Sequence, residues 1–339
     1  MREDKEKEKI LVLVMSCNLP QYKQREEDIR NTWGKDILEK KHENIDLWFF
    51  TSGEHDMIDM YNHKLYTKCN DLRDRTFQKL MKTIYNAEAN GLEYDWVLRV
   101  NISTYINIEL IDMIVQHSPS DEFLYAGTLF SQPWILNRLP FLSGEYLLLS
   151  KKNIEYLKKF YTVNKEYFDK LEADPRSDTK WVCDDGWITT CFDKVYKADK
   201  DVWEYGKRIH SLGLLMYNDD RITIPDTRDY KQKSGICMMS SIPGISFKTM
   251  VDGDPDLDKD PIHESSDRDK LYKIHEIVTE NKVRDLTLWY KWYVLNVYDQ
   301  WCYPYKHVVD TRDKKRSMSE RITKRQMMKE YRDYKRSKK

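Results

Sequence analysis

Three strand-length runs rich in apolar residues, at 10–15, 45–50 and 94–100, each lead into a stretch of helical periodicity, and this alternation constrains the 339-residue chain more than any other feature. Apolar residues at successive positions mark a strand covered on both faces, which belongs in a parallel sheet with helices above and below. Amphipathic helices are predicted at 21–41 and at 74–89, the second with Phe77, Leu80, Ile84 and Ala87 on one face. A helix at 108–117, short strands at 123–127 and 144–149 and a helix at 152–161 continue the order. The expected fold class is therefore α/β, a doubly wound, mostly parallel sheet whose ligands bind beyond the carboxyl ends of its strands. Further on, 186–194 reads as helix, 217–261 as loops rich in Gly, Pro, Asp and Ser, and 270–281 and 285–301 as two aromatic-rich helices.

Charge and cysteine usage narrow the function classes. The chain holds 57 basic and 57 acidic residues, so nothing global points to a nucleic-acid partner. Its 23 tyrosines and 10 tryptophans serve either core packing or the stacking of sugar faces. The cysteines (Cys17, Cys69, Cys183, Cys191, Cys237 and Cys302) form no CxxC pair, which argues against a zinc site and for free thiols. Residues 1–9 are too charged for a signal peptide and the run at 10–15 too short to span a bilayer, so a soluble, cytoplasmic protein without a membrane span is expected. The acidic stretch from Asp252 to Asp260 lacks the spacing of a calcium loop. His210 stands alone, and residues 311–339 form a basic tail.

Four separated segments carry a resemblance. Arg25-Glu-Glu-Asp-Ile-Arg-Asn-Thr-Trp-Gly34 is similar to an R-x-x-x-I-R-x-T-W-G stretch, and Asp71-Leu-Arg-Asp-Arg-Thr-Phe-Gln-Lys-Leu-Met-Lys82 keeps the spacing of D-F-x-D-x-Y-x-N-L-T-x-K. Pro140-Phe-Leu-Ser-Gly-Glu-Tyr-Leu-Leu-Leu-Ser150 resembles Y-P-x-Y-C-S-G-G-G-Y-V-L-S, and Asp184-Asp-Gly-Trp-Ile-Thr-Thr-Cys-Phe192 resembles E-D-V-Y-x-G-x-C-L. In this order and spacing they resemble the beta-1,3-galactosyltransferase and Fringe family of inverting glycosyltransferases. The resemblance implies a GT-A type, Rossmann-like domain over 10–262, with a helical extension at 263–310 between it and the tail.

It also implies roles. Asp185 falls on the catalytic base, while Arg25, Arg30, Asp74, Lys82, Asn101 and Ser103 fall on the binding site for a nucleotide-sugar donor, expected to be a UDP-hexose. Ser143, Gly144, Glu145 and Asp184 fall on the wall facing a saccharide or glycoprotein acceptor. Helix capping is the alternative reading of Asp184 and Asp185. Leu142 stands where the family has a cysteine, which leaves Cys191 without that partner.

The pattern breaks at the metal. Asn101-Ile-Ser103 replaces the acidic triplet after the third strand, and Pro225 replaces a histidine. Neutral oxygens bind hard divalent cations far more weakly than carboxylates do, so no metal is expected, and manganese is the cation to test. Fixed cations must then offset the charge of a departing diphosphate, with Arg25, Arg30, Lys82 and Arg99 available.

Overall fold

The computed structural model describes residues 6–72, 75–116, 125–130, 141–173, 184–198, 209–211, 214–218, 221–223, 244–247 and 264–280. At its centre lies β1 (Ile10–Met15), flanked by parallel β2 (Ile45–Gly53) and β5 (Trp96–Asn101). The strand period of two sends Ile10, Val12 and Val14 to one face and Leu11 and Leu13 to the other, and all five are buried. Full burial of such side chains contributes about 1.5–3 kcal/mol each, which is why this strand seeds the core.

The sheet extends to eight strands in the order β3-β4-β2-β1-β5-β8-β7-β9, through β3 (Met57–Asp59), β4 (Lys64–Lys68), β7 (Tyr125–Phe130), β8 (Phe141–Ser150) and β9 (Ile209–Ser211). Helices α1 (Pro20–Arg30), α2 (Lys35–Leu38), α4 (Ile108–Gln116) and α8 (Glu264–Glu280) contribute to the core on one face. On the other face lie α3 (Thr76–Ala89), α5 (Lys151–Val163), α6 (Lys165–Ala173) and α7 (Asp184–Ala198). The expected α/β class, with a mostly parallel sheet between helical layers, is the observed one.

Several boundaries differ, each for a local reason. The helix expected at 21–41 is split, because the chain turns at Asn31 to Gly34, where the Gly34 N–H returns to the Ile29 carbonyl at 3.0 Å. A Cβ at Gly34 would stand 2.9 Å from that same oxygen, so the turn requires a residue without one. Strand β8 begins earlier than expected and runs antiparallel to both neighbours. Part of the stretch read as loops joins residues 104–106 and 214–216 in a second sheet, β11-β10-β12-β6, made of β6 (Thr104–Ile106), β10 (Leu214–Asn218), β11 (Arg221–Thr223) and β12 (Gly244–Ser246). Strands of three residues show no periodicity to read. Edge strand β3, its neighbour β4 and helix α6 were likewise not anticipated. The helix expected at 270–281 starts earlier, at Glu264. The helix expected at 285–301, the acidic stretch 252–260, Pro225 and the basic tail lie outside the described residues.

Candidate active site

The site is built around an irregularity in β8. Gly127 of β7 pairs with Leu147, yet the next residue, Thr128, pairs with Ser143, so Gly144, Glu145 and Tyr146 have no counterpart on β7. Tyr146 still pairs with Val100 of β5. Extra residues of this type bend a strand and re-aim its backbone, commonly beside active sites. Here the bulge lies at the carboxyl edge of β5 and turns the Gly144 N–H toward α7, where it donates to Asp185 Oδ2 at 3.2 Å.

Asp185 is half-buried at the start of α7 and also accepts the Gly186 N–H on Oδ1 at 2.7 Å. Its neighbour Asp184 is buried and faces Arg99 of β5, whose Nη2 donates to Oδ1 at 3.1 Å while Nε lies 2.7 Å from Oδ2, an ionic contact rather than an aligned hydrogen bond. The Asp184 N–H donates to Thr76 Oγ1 at 3.0 Å, tying α7 to α3. Neither carboxylate accepts an N–H two or three residues on, as a helix-capping side chain would. Desolvation and the negative charge of Asp184 push the Asp185 carboxyl up to about 6, while Arg99 and the Gly186 N–H pull the other way and Glu145 adds a further upward push. A partly accessible carboxyl tuned to that value is ionised at neutral pH and more basic than an ordinary aspartate.

The predicted residues fall into two groups. Gly144, Asp184 and Asp185 converge, with Glu145 close enough to act on Asp185, and Ser143 precedes Gly144 on the same strand. Asn101 ends β5 opposite Met15, and buried Ser103 accepts the Phe247 N–H at 3.1 Å, so both lie at the carboxyl edge. The basic residues expected at the donor have protein partners instead. Arg25 pairs with buried Asp267 at 2.6 Å and fastens α1 to α8. Arg30 donates to the Asn62 carbonyl and lies over the Phe49 ring at 4.6 Å. Lys82 is held by both oxygens of Glu172, at 2.8 and 2.6 Å, and by the Lys68 carbonyl. Asp74 lies outside the described residues. Cys191 is buried in the same cluster as Leu142, its thiol facing the Tyr156 carbonyl.

Lys79 was not anticipated. It is buried one turn before Lys82 and reaches the carboxyl edge, where its Nζ donates to the Ser16 carbonyl at 2.6 Å and to Asp71 at 2.5 Å. Asp71 in turn accepts from Ser52 at 2.6 Å, and Asn18 donates to the Ser52 carbonyl. A signal was available: Lys79, Thr83 and Asn86 recur at helical spacing, and all three are buried, forming a polar stripe on the inner side of α3. Asp71 holds Lys79 as Glu172 holds Lys82, so a diphosphate bound at this edge would have to take the place of Asp71; Lys79→Met would then weaken UDP binding by about tenfold or more, as the loss of one charge-assisted contact would. Lys82→Met should cost less than about threefold. Calorimetric titration of UDP with both variants decides the order, and the reverse order returns the diphosphate to Lys82.

A separate cleft of about 480 Å³ opens at the opposite, amino-terminal edge of the sheet, lined by Lys9, Glu88, Glu93, Tyr94 and Lys158 among others. Its charges pair with one another, as Lys9 with Glu93 and Lys158 with Glu88. It has no part in the site around Asp185.

Among the described residues no group of three His, Cys, Asp or Glu side chains is arranged to hold a metal ion, and no helix is long and apolar enough to cross a membrane. No protein-family model matches the chain, and no curated protein matches it. Among solved structures it is similar to a glycosyltransferase involved in the glycosylation of the major capsid of PBCV-1, with a TM-score of 0.38 and 8% identity over 78% of this chain and 99% of that one. It is also similar to the glycosyltransferase GlyE of Streptococcus pneumoniae TIGR4, with a TM-score of 0.36 and 9% identity over 85% of this chain and 64% of that one. Superposition at this level is too loose to transfer a residue or an activity.

Proposed function

We propose that the chain is an inverting glycosyltransferase that moves a hexose from a nucleotide sugar, a UDP-hexose, to a hydroxyl of a saccharide or glycoprotein acceptor, without a metal. The observation that carries this reading is the convergence of two segments singled out by their resemblance and distant in sequence: the Ser143-Gly144 wall and the Asp184-Asp185 pair meet at the carboxyl edge of the sheet. Asp185 takes the proton of the acceptor hydroxyl as its oxygen bonds to the anomeric carbon. On the far side, the bond from that carbon to the diphosphate oxygen breaks and the nucleoside diphosphate departs.

Asn101 and Ser103 offer an amide and a hydroxyl where the family would place carboxylates, a donor set poorly matched to a hard divalent cation, and no step is routed through one. EDTA is therefore expected to leave donor affinity unchanged, and manganese to improve it by less than about tenfold, because neutral oxygens supply little binding energy to the cation. Equilibrium binding of a UDP-hexose panel with and without each reagent tests this, and a larger gain with manganese would overturn the metal-free mechanism.

A second reading is favoured by the engagement of Arg30 and Lys82 with protein groups, which leaves fewer cations for a diphosphate. In it the chain binds a nucleotide sugar or glycan without catalysing transfer. Donor binding with no turnover across an acceptor panel would select this reading.

A further inference from the structure

We propose that Arg99 is a positioning residue of the site: its guanidinium, fixed edge-on to Asp184 and leaving one nitrogen over toward Gly144, neutralises Asp184 and thereby makes Asp185 the carboxylate of the pair that faces the acceptor and takes its proton. The inference rests on the glycosyltransferase reading and gives Arg99 a role distinct from offsetting the charge of a departing diphosphate.

The geometry is specific. Arg99 lies within β5, on the face covered by α3, α5 and α7, with Val97 before it on that face and Leu13 and Leu147 as its cross-strand partners. It is 1% exposed, and a buried guanidinium is costly unless paired. Asp184, also 1% exposed, supplies the pair through both oxygens, at 3.1 and 2.7 Å. The third nitrogen, Nη1, is buried without a hydrogen-bond partner. It points at the bulge: a Cβ added to Gly144 would stand 3.3 Å from Nη1 and 3.5 Å from Asp185 Oδ2. Glycine thus leaves room for the guanidinium and the second carboxylate to approach the same point.

The electrostatic consequence follows from charge counting. Two adjacent carboxylates in a desolvated site cannot both ionise at neutral pH unless a cation compensates one of them. The charged or titratable groups acting on Asp185 are Asp184 on its own helix, Arg99 on β5, Glu145 on β8 and Tyr125 on β7. Among the described residues, Arg99 is the cation that most lowers the Asp185 carboxyl. It is bound to Asp184, so Asp184 is held as a spectator anion and Asp185 is left to gain and lose the proton.

Carbon-13 NMR of aspartate carboxyls, with Asp185 assigned by its loss in Asp185→Asn, reads this directly and needs no turnover. In Arg99→Met the Asp185 midpoint is expected to rise by about one pH unit or more, because the like charge is no longer compensated. In Asp184→Asn, which removes the like charge and releases Arg99, it should fall by about one pH unit. Where transfer is measurable, the acid limb of kcat/KM should move by the same amounts and in the same directions. Asp185 midpoints that stay at the wild-type value in both variants would reduce Arg99 to a structural ion pair and overturn the proposal. If Arg99→Met does not fold, Asp184→Asn carries the decision, and an unchanged or raised midpoint there overturns it equally. Midpoints that shift as stated in a protein that transfers no sugar would uphold the electrostatic coupling and remove the glycosyltransferase reading instead.

Discussion

Replacing Asp185 with Asn is expected to lower sugar transfer by about 10²–10⁴-fold while donor affinity stays within a small factor, because a general base contributes about that much to rate and little to binding of the donor. The amide keeps the size of the carboxyl but does not take a proton. The same substitution should stabilise the fold at neutral pH. Burial and Asp184 raise the Asp185 carboxyl to about 6, so the folded protein holds this proton more tightly than the unfolded chain does. Stability contributed by the protonated group is present below the unfolded value and is lost as pH rises through the folded one. Asn carries no charge, and relative to wild type the variant gains stability between about pH 4 and pH 6 and keeps the gain above, on the order of 1–3 kcal/mol. Thermal unfolding at pH 4 and pH 8, beside steady-state kinetics, checks both parts. A helix cap would give a different result, since Asn caps as well as Asp and neither activity nor stability would move. Wild-type turnover by the variant removes Asp185 from the mechanism.

Gly127→Ala is expected to be the most damaging small substitution in the sheet. A Cβ there would stand 2.6 Å from the Tyr146 carbonyl oxygen and 3.3 Å from Leu147 Cδ2. The first contact is with backbone of β8, held at Tyr146 by its pairing with Val100, so it is not relieved by rotating a side chain. Overpacking of this type costs about 2–3 kcal/mol, or about 5–10 °C in Tm for a domain of this size. The effect reaches the site because Gly127 is the last β7 residue in register before the bulge. Pushing Tyr146 away moves Gly144, whose N–H holds Asp185, and activity should fall further than stability alone explains. A variant with a Tm within about 2 °C of wild type and full transfer activity would show that the bulge tolerates a methyl group and that its geometry does not set the site.

The core strands were legible because their signal is local. Successive apolar residues at 10–15 and 47–50 leave no polar face for solvent, so both faces must be covered, and a parallel central sheet follows. Helix α3 was legible from its apolar arc for the same reason. Gly144 and Asp185 were singled out through resemblance, not from the residues' own chemistry, and their contact comes from the fold.

What remained hidden depends on distance in space. Nothing near Arg30 or Lys82 in sequence announces Asn62 or Glu172 as a partner, and both residues read as available cations until the chain is folded. Lys79 reads as one more charged helix residue until the end of β1 supplies its carbonyl acceptor. Arg99 is the clearest case. Within its strand it is an isolated charge among apolar residues, and its meaning comes from Asp184, 85 positions away, and from a three-residue bulge. Local periodicity fixes which faces must be buried. Pairing of charges in a low-dielectric interior is a property of the packed elements together, so the sequence carries the layers of this protein and the folded chain alone assigns its charges their partners.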